Sequence, residues 1–345
     1  MKITTIGIDL AKNVFQVHGV DERGKAVLGK QLKRKDVVKF FANLEPCLIG
    51  MEACGSAHYW ARKLSEFGHT VRLIAPQFVK PYVKTNKNDR NDAEAICEAV
   101  GRPNMCFVPL KTAEQQAVLS VHRARQGFVK ARTAQANQIR GLLAEFGIVI
   151  PQGIMHIAKR LPEILEDGEN GLPGMMRQLV RALGEQLKVV GNQVEEMERQ
   201  IKLWHRDSEP SRTLEAIAGI GPITASAYVA TVGDAKNFKN ARQVPAWLGM
   251  VPRQVGTGGK VKLGRISKRG DVYLRTLLIH GARAVIRQVE RRPDRADEWL
   301  KKLLARRNKN IAAVALAAKN ARIAWALLAH ERTYQSDYVA KRAAT

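Results

Sequence analysis

Short apolar runs crowd the first hundred residues. Residues 3–9, 13–20 and 24–32 read as strands, with Gly19-Val20-Asp21-Glu22-Arg23-Gly24 as the turn between the second and third. Residues 36–44 have a helical pattern, 47–52 form a buried strand, 55–67 return to helical periodicity, and 70–75 make another strand. Ala75-Pro76 ends it, and a basic loop (Lys80, Lys84, Lys87) leads to a helix from about Asn91 to Val100. Beyond this the period lengthens. Residues 113–146 and 173–206 are helical, and Leu179, Leu183, Leu187, Val190, Val194, Met197, Ile201 and Trp204 repeat at intervals of three and four, as in a coiled-coil seam. That seam pairs either within the chain or with another subunit.

Residues 211–345 form a third region. Leu214 to Ala225 reads as helix, tight glycine turn and helix, a helix-hairpin-helix-like pattern. Backbone N–H groups at Gly219 and Gly221 would point outward at a helix N-terminus, where a phosphate binds; an ordinary αα-corner is the alternative. A Gly- and Lys-rich segment covers 252–270, and 271–290 and 299–330 are expected to be helices. The expected domains are 1–110, 111–210 and 211–345.

Acidic residues punctuate the first region in a particular order. Asp9 ends the run Ile3-Thr4-Thr5-Ile6-Gly7-Ile8, and Glu52 ends Cys47-Leu48-Ile49-Gly50-Met51. Asp89 and Asp92 then stand three apart, on one helical face. A carboxylate at the end of a buried strand is costly unless something compensates it. Four converging carboxylates suit Mg²⁺ facing a phosphodiester, where two divalent ions about 4 Å apart activate a nucleophile and stabilise a leaving oxygen. Asp89 and Asp92 could instead merely cap their helix. The βββαβαβα order around these acids predicts a ribonuclease-H-like α/β sheet followed by all-α regions.

Charge sharpens this picture. The 345-residue chain carries a formal charge of +25, which points to DNA or RNA as partner. Lys236 to Asn310 holds 20 Lys/Arg against 5 Asp/Glu, so cations and the four acids are segregated. Aromatic content of 6% argues against a base-stacking single-strand binder. Cys47, Cys54, Cys97 and Cys106 fit neither a zinc pattern nor a disulfide framework, so a cytoplasmic setting is expected. No hydrophobic stretch is expected to span a membrane, and the eight histidines are scattered, with His280 expected as a core residue.

In the glycine- and lysine-rich segment, hydroxyls sit among glycines and cations. Arg253, Lys260, Arg265, Lys268 and Arg269 suit phosphate charge, and a hydroxyl among them either attacks phosphorus or is structural.

Gly7-Ile8-Asp9-Leu10-Ala11-Lys12, Gly50-Met51-Glu52-Ala53-Cys54-Gly55 and Lys87-Asn88-Asp89-Arg90-Asn91-Asp92-Ala93 together resemble the carboxylate motifs of the DEDD transposases of insertion-sequence family one-ten and the related Piv DNA invertases. Gly219 to Ala225 and Ile266 to Leu278 resemble that family's second domain, and Leu277 to Arg283 its eleven-eleven subgroup. The resemblance implies a RuvC-like N-terminal domain, a coiled-coil segment and a C-terminal transposase domain. It also implies Mg²⁺ on Asp9, Glu52, Asp89 and Asp92, and a tetramer (or dimer) with composite active sites. An element-encoded bridge RNA pairs with donor and target DNA in such systems. The family nucleophile is a serine before a glycine; that position here is Thr257, with Ser267 as the alternative. A RuvC-like resolvase or invertase, or a nucleic-acid-binding regulator without catalysis, are the other readings.

Overall fold

The computed structural model describes residues 2–84, 88–295 and 297–335. Lys87 of the expected basic loop lies outside the described residues. The chain divides into two compact units, Met1–Gln116 and Ala117–Thr345.

The first unit is built on β1 (Thr5–Leu10), β2 (Val14–Val20), β3 (Ala26–Lys33), α1 (Val37–Ala42), β4 (Leu48–Glu52), α2 (Ala57–Ser65), β5 (Thr70–Ile74), α3 (Pro76–Val79), α4 (Asp89–Val100) and β6 (Phe107–Val108). The strands form one sheet in the order β3-β2-β1-β4-β5-β6. β2 is antiparallel to both of its neighbours, β1 and β3, whereas β4 and β5 run parallel to β1. Strand side chains alternate between faces. Ile6, Ile8, Ile49 and Met51 therefore share one face, where they join Trp60, Ala61 and Leu64 of α2 in a single buried core. Gly7 and Gly50, paired in register, take the opposite face and leave room for α4.

α4 begins two residues earlier than its sequence pattern suggested. Asn88 caps it, its side chain accepting from the Asn91 N–H at 2.8 Å. The two-residue β6 and the single turn of α3 carry too little periodicity to be read from sequence.

The second unit opens with most of α5 (Ala113–Ala144), followed by α6 (Ile154–Glu166) and α7 (Gly174–Asp207). The heptad seam of α7 buries Val180, Leu187, Val194 and Ile201. Val180 and Leu187 pack in one core with Ala136, Ile139 and Leu143 of α5 and Ile157, Leu161 and Ile164 of α6. The seam thus pairs inside the chain. Leu179, expected on it, is 43% exposed. The seam runs one residue further along because α6, absent from the sequence reading, packs on the Val180 side.

The remainder comprises α8 (Glu209–Glu215), α9 (Pro222–Val232), α10 (Gln243–Trp247), β7 (Pro252–Thr257), β8 (Lys260–Ile266), α11 (Val272–Arg291), α12 (Glu298–Arg306) and α13 (Lys309–Ala329). The expected helix at 299–330 is two helices, because Asn308 accepts the Asn310 N–H and starts a new one. α13 reaches membrane-spanning length and apolarity by composition, longer than the sequence reading allowed, but half of that apolar window is buried. Ala312, Ala313, Ala317, Ala321 and Ala324 of α13 are fully buried in the core of this region. His280, expected in a core, is exposed on α11. The buried histidines are instead His69, His122 and His205.

Candidate functional site

Asp9 lies two residues beyond Gly7, and Glu52 two beyond Gly50. Strand alternation places both on the face that carries α4. A Cβ added to Gly7 would lie 2.2 Å from the Ala93 carbonyl oxygen and 2.4 Å from the Cys97 nitrogen. A Cβ on Gly50 would stand 2.7 Å from Val100 Cβ. α4 therefore rests directly on the backbone of the sheet. The Cys97 thiol adds a weak bond to the Thr5 carbonyl at 3.7 Å. The first turn of α4, with Asp89 and Asp92, is carried past Ala93 to the sheet end where Asp9 and Glu52 emerge.

The other three acids are near enough for their charges to act on Asp9. Burial pushes the Asp9 carboxyl up to about 6, and the charges of Asp92, Asp89 and Glu52 push in the same direction. Only a hydrogen bond from the Leu10 backbone opposes them. Because Asn88 already caps α4, neither aspartate is needed as the cap. Asp9, Glu52 and Asp92 are half-buried, and Asp89 is exposed.

These are hard oxygen donors, the chemistry that Mg²⁺ prefers. Among the described residues, no three His, Cys, Asp or Glu side chains are arranged to hold an ion as they stand. A divalent cation would offset the burial and like-charge repulsion that raise the Asp9 carboxyl. By charge and donor type, the set fits Mg²⁺.

The glycine- and lysine-rich segment is a β-hairpin, which its composition did not announce. Thr257 pairs with Lys260 across a two-residue turn, Gly258-Gly259, with φ of +55° and +78°. Two positive φ angles define a turn whose twist matches the strands and which favours glycine at both positions. Residues opposite one another share a face. Thr257, Lys260, Val255 and Lys262 therefore lie on one face, and Gln254, Leu263, Gly256 and Val261 on the other. Arg253 stands at a register irregularity between Pro252 and Gln254, beside Gly264, and its Nη2 donates to the Ser267 carbonyl at 3.4 Å. Lys262 was missed from sequence, although the alternation Lys260-Val261-Lys262-Leu263 signals it. Every residue of the hairpin except Ile266 is exposed.

The hairpin's base is anchored. The Ser267 N–H bonds the Val251 carbonyl at 2.9 Å, and Lys268 N–H bonds Gly249 O at 3.0 Å. A Cβ on Gly270 would lie 1.9 Å from the Trp247 oxygen, so this crossing requires glycine. Buried Arg275 donates from Nη1 to the carbonyls of Leu248 and Arg269, at 2.9 and 3.0 Å. The Ser267 hydroxyl is half-buried at this base, where the Arg269 N–H reaches it at 3.5 Å. Lys268 adopts φ +56°, and Lys268 and Arg269 flank the base while Arg265 lies on β8.

Gly219 has φ +88°, and a Cβ there would lie 2.8 Å from the Gly281 carbonyl oxygen. Its glycine is explained by contact with α11. Gly221 precedes Pro222, which supplies no N–H at the first position of α9.

Two buried histidine networks escaped the sequence reading. His122 bonds the Tyr273 hydroxyl at 3.0 Å and Ser226 Oγ at 3.1 Å, tying α5 to α11 and α9. His205 meets Ser211 Oγ at 2.7 Å and Glu215 Oε2 at 2.9 Å. The latter has the composition of a hydrolytic triad, but Ser211 is fully buried, so the set locks α7 to α8.

Comparison with known proteins bears on both halves of the chain. Residues 6–148 match a DEDD transposase family of the IS110 type, described as a transposase. Residues 211–298 match the family described as "Transposase IS116/IS110/IS902 family". A "Probable family 20 transposase" of Pseudomonas aeruginosa is 55% identical, covering 97% of this chain and 99% of its own length. The "Transposase for insertion sequence element IS1111A" of Coxiella burnetii is 45% identical, over 96% of this chain and 92% of its own. The "Transposase for insertion sequence element IS1328" of Yersinia enterocolitica is also 45% identical, over 94% and 96%.

Proposed function

We infer the reaction from one premise: this chain belongs to the IS116/IS110/IS902 family of DEDD transposases, enzymes that transfer phosphoryl groups on DNA. We propose that its first unit is a RuvC-like domain in which Asp9, Glu52, Asp89 and Asp92 hold Mg²⁺. The observation that carries this reading is the raised Asp9 carboxyl, with all three other acids contributing to the shift. The three antiparallel strands followed by parallel crossovers support the RuvC-like assignment. For function, the chain is read in three parts: 1–110 for the acids, 111–210 for the helical segment, and 211–345 for the hairpin and its support.

Mg²⁺ on the four carboxylates would offset phosphate charge and stabilise the leaving oxygen. Thr257 is the proposed nucleophile. Its Oγ1 forms a bond to phosphorus as the bond from phosphorus to the DNA 3′ oxygen breaks. The threonine proton ends on that 3′ oxygen, so one hydroxyl is consumed and one is formed. The 5′-phosphate is then held as a threonine phosphoester, and attack by another strand's 3′-hydroxyl reverses the exchange. One phosphoester replaces another, so no external energy source is needed. Lys260, directly opposite Thr257, would stabilise the charge developing on phosphorus, and Arg253, whose guanidinium lies by the hairpin base, would hold a neighbouring phosphate. Arg265, Lys268 and Arg269 would hold flanking phosphates, with Gly219 and Gly221 as a further backbone contact. Placement at an exposed tip favours Thr257 over Ser267, whose hydroxyl is engaged at the hairpin base.

The partners proposed are donor and target DNA and an element-encoded bridge RNA, in a homodimer or homotetramer. The +25 charge and the family resemblance support them. The test is covalent trapping. Protein, flanking-element RNA and labelled donor and target DNA are incubated with Mg²⁺ and then denatured. A protein–DNA adduct lost in Thr257→Ala and retained in Ser267→Ala supports the reading. Cutting without an adduct would favour a resolvase-like hydrolysis by water, and neither outcome with intact RNA binding would favour a non-catalytic regulator.

A further inference from the structure

Four acids at one sheet end repel the very polyanion they are meant to act upon. The same sheet end carries the means to offset this. β1 is antiparallel to β2, and β2 to β3, so β1 and β3 finish at the same end. Asp9 lies at the close of β1, Lys12 in the turn that follows, and Lys33 at the close of β3, with Arg34 and Lys35 immediately after. Lys12, Lys33 and Lys35 are exposed, and none makes an ion pair among the described residues. Asp36 is the single acid within residues 33–36.

Arg34 fixes this group. Its backbone N–H donates to Asn13 O at 2.8 Å, and its Nη1 donates to Lys12 O at 3.3 Å. The guanidinium lies 5.2 Å from the Trp60 ring and 5.9 Å from Phe15, two rings that meet edge to face. These contacts tie the end of β3 to the β1–β2 turn, so three lysines are presented from a rigid edge. β3 lies two strand spacings, about 10 Å, from β1. A nucleic-acid strand rising about 3.4 Å per nucleotide covers that in about three nucleotides.

We propose that Lys12, Lys33 and Lys35, positioned by Arg34, form a cationic rim that binds backbone phosphates of the DNA strand beside the phosphate held at Asp9. The proposal rests on the reading that the four carboxylates act on DNA. DNA is the occupant because the rim shares an edge with the acids that would cut it. Phosphate contacts of this kind fix register and orientation while carrying no sequence information.

The test uses the full chain and a labelled duplex carrying an element end. The triple variant Lys12→Gln, Lys33→Gln, Lys35→Gln is compared with a charge-matched control, Lys159→Gln, Lys188→Gln, Lys202→Gln, whose lysines are exposed on α6 and α7. The rim variant is expected to flatten the slope of log affinity against log salt by about 2 to 3, since each phosphate contact contributes about 0.9. Its KM for strand cutting should rise about tenfold or more, with kcat within about twofold of wild type. A rim variant indistinguishable from the control in slope and KM overturns the proposal. So does a loss confined to an RNA duplex of matching sequence with DNA unaffected, which would make the rim an RNA surface. Should the triple fail to fold, the three single Lys→Gln variants carry the test, each expected to give about one third of the change in slope. Asp9→Asn separates this inference from the reading beneath it. If Asp9→Asn still cuts at the wild-type rate, the carboxylate reading falls, while the salt slopes continue to decide the rim.

Discussion

Gly7 lies so close to the Ala93 carbonyl that a single added Cβ would stand 2.2 Å from that oxygen. No flexible side chain is available to move aside, because the obstacle is helix backbone. This contact, with its neighbour at Gly50, lets α4 rest on the sheet and brings its first turn, with Asp89 and Asp92, toward the end that carries Asp9 and Glu52.

Gly7→Ala is therefore expected to destabilise the first unit by about 3 kcal/mol, through overpacking against rigid backbone. It should also abolish strand cutting at temperatures where the chain remains folded, because α4 is displaced. Denaturant unfolding together with a cutting assay checks both. Retention of wild-type cutting would separate the seat of α4 from the site.

Asp9→Asn keeps the shape of the side chain and removes its charge. Cutting is expected to fall about a thousandfold while affinity for DNA is unchanged or improved, since one repelling charge is gone. Titrating Mg²⁺ against thermal unfolding gives a readout independent of cutting. The wild type should be stabilised by the ion, and Asp9→Asn much less so.

Thr257→Ser should retain the covalent adduct and form it at least as fast. It removes a methyl group that restricts χ1 and crowds the approach to phosphorus. Thr257→Ala should form none. Equal adduct yields from all three proteins would place the nucleophile elsewhere.

Arg275→Met should weaken the base of the hairpin. Two carbonyls, Leu248 O and Arg269 O, lose a charged donor, at a cost of about 3 kcal/mol. Thr257 itself is untouched, so adduct yield should drop with little change in DNA affinity. Hydrogen exchange across residues 247–270 reports the loosening directly.

His122 makes stability depend on pH. Burial, with Arg125 nearby, lowers its ring from 6.5 to about 4. Between those values the unfolded chain takes up a proton that the folded chain refuses. The contribution is thus complete above about pH 6.5 and is lost as pH falls through 4, to a total of about 3 kcal/mol. Denaturant midpoints measured from pH 7 to 4 should fall for wild type and fall less for His122→Gln.

The sequence by itself determined where the acids would stand. A carboxylate after a short apolar run is a local pattern, and Asp9 and Glu52 could be placed at strand ends with no knowledge of what lay above them. The order of strands and the two long helices followed from the same local periodicities. The tertiary structure decided what those patterns meet. Gly7 and Gly50 read as unremarkable positions within strands until α4 is seen resting on them. One residue separates Leu179 from Val180 on α7, and only the packing of α6 chooses which is buried. The stretch from Arg253 to Lys262 announced cations and glycines, but the Gly258-Gly259 turn had to close before Thr257 and Lys260 could face each other. Periodicity is a property of neighbours along the chain and survives in the sequence. Convergence depends on how closely two distant backbones can approach, and that was fixed by the absence of a side chain.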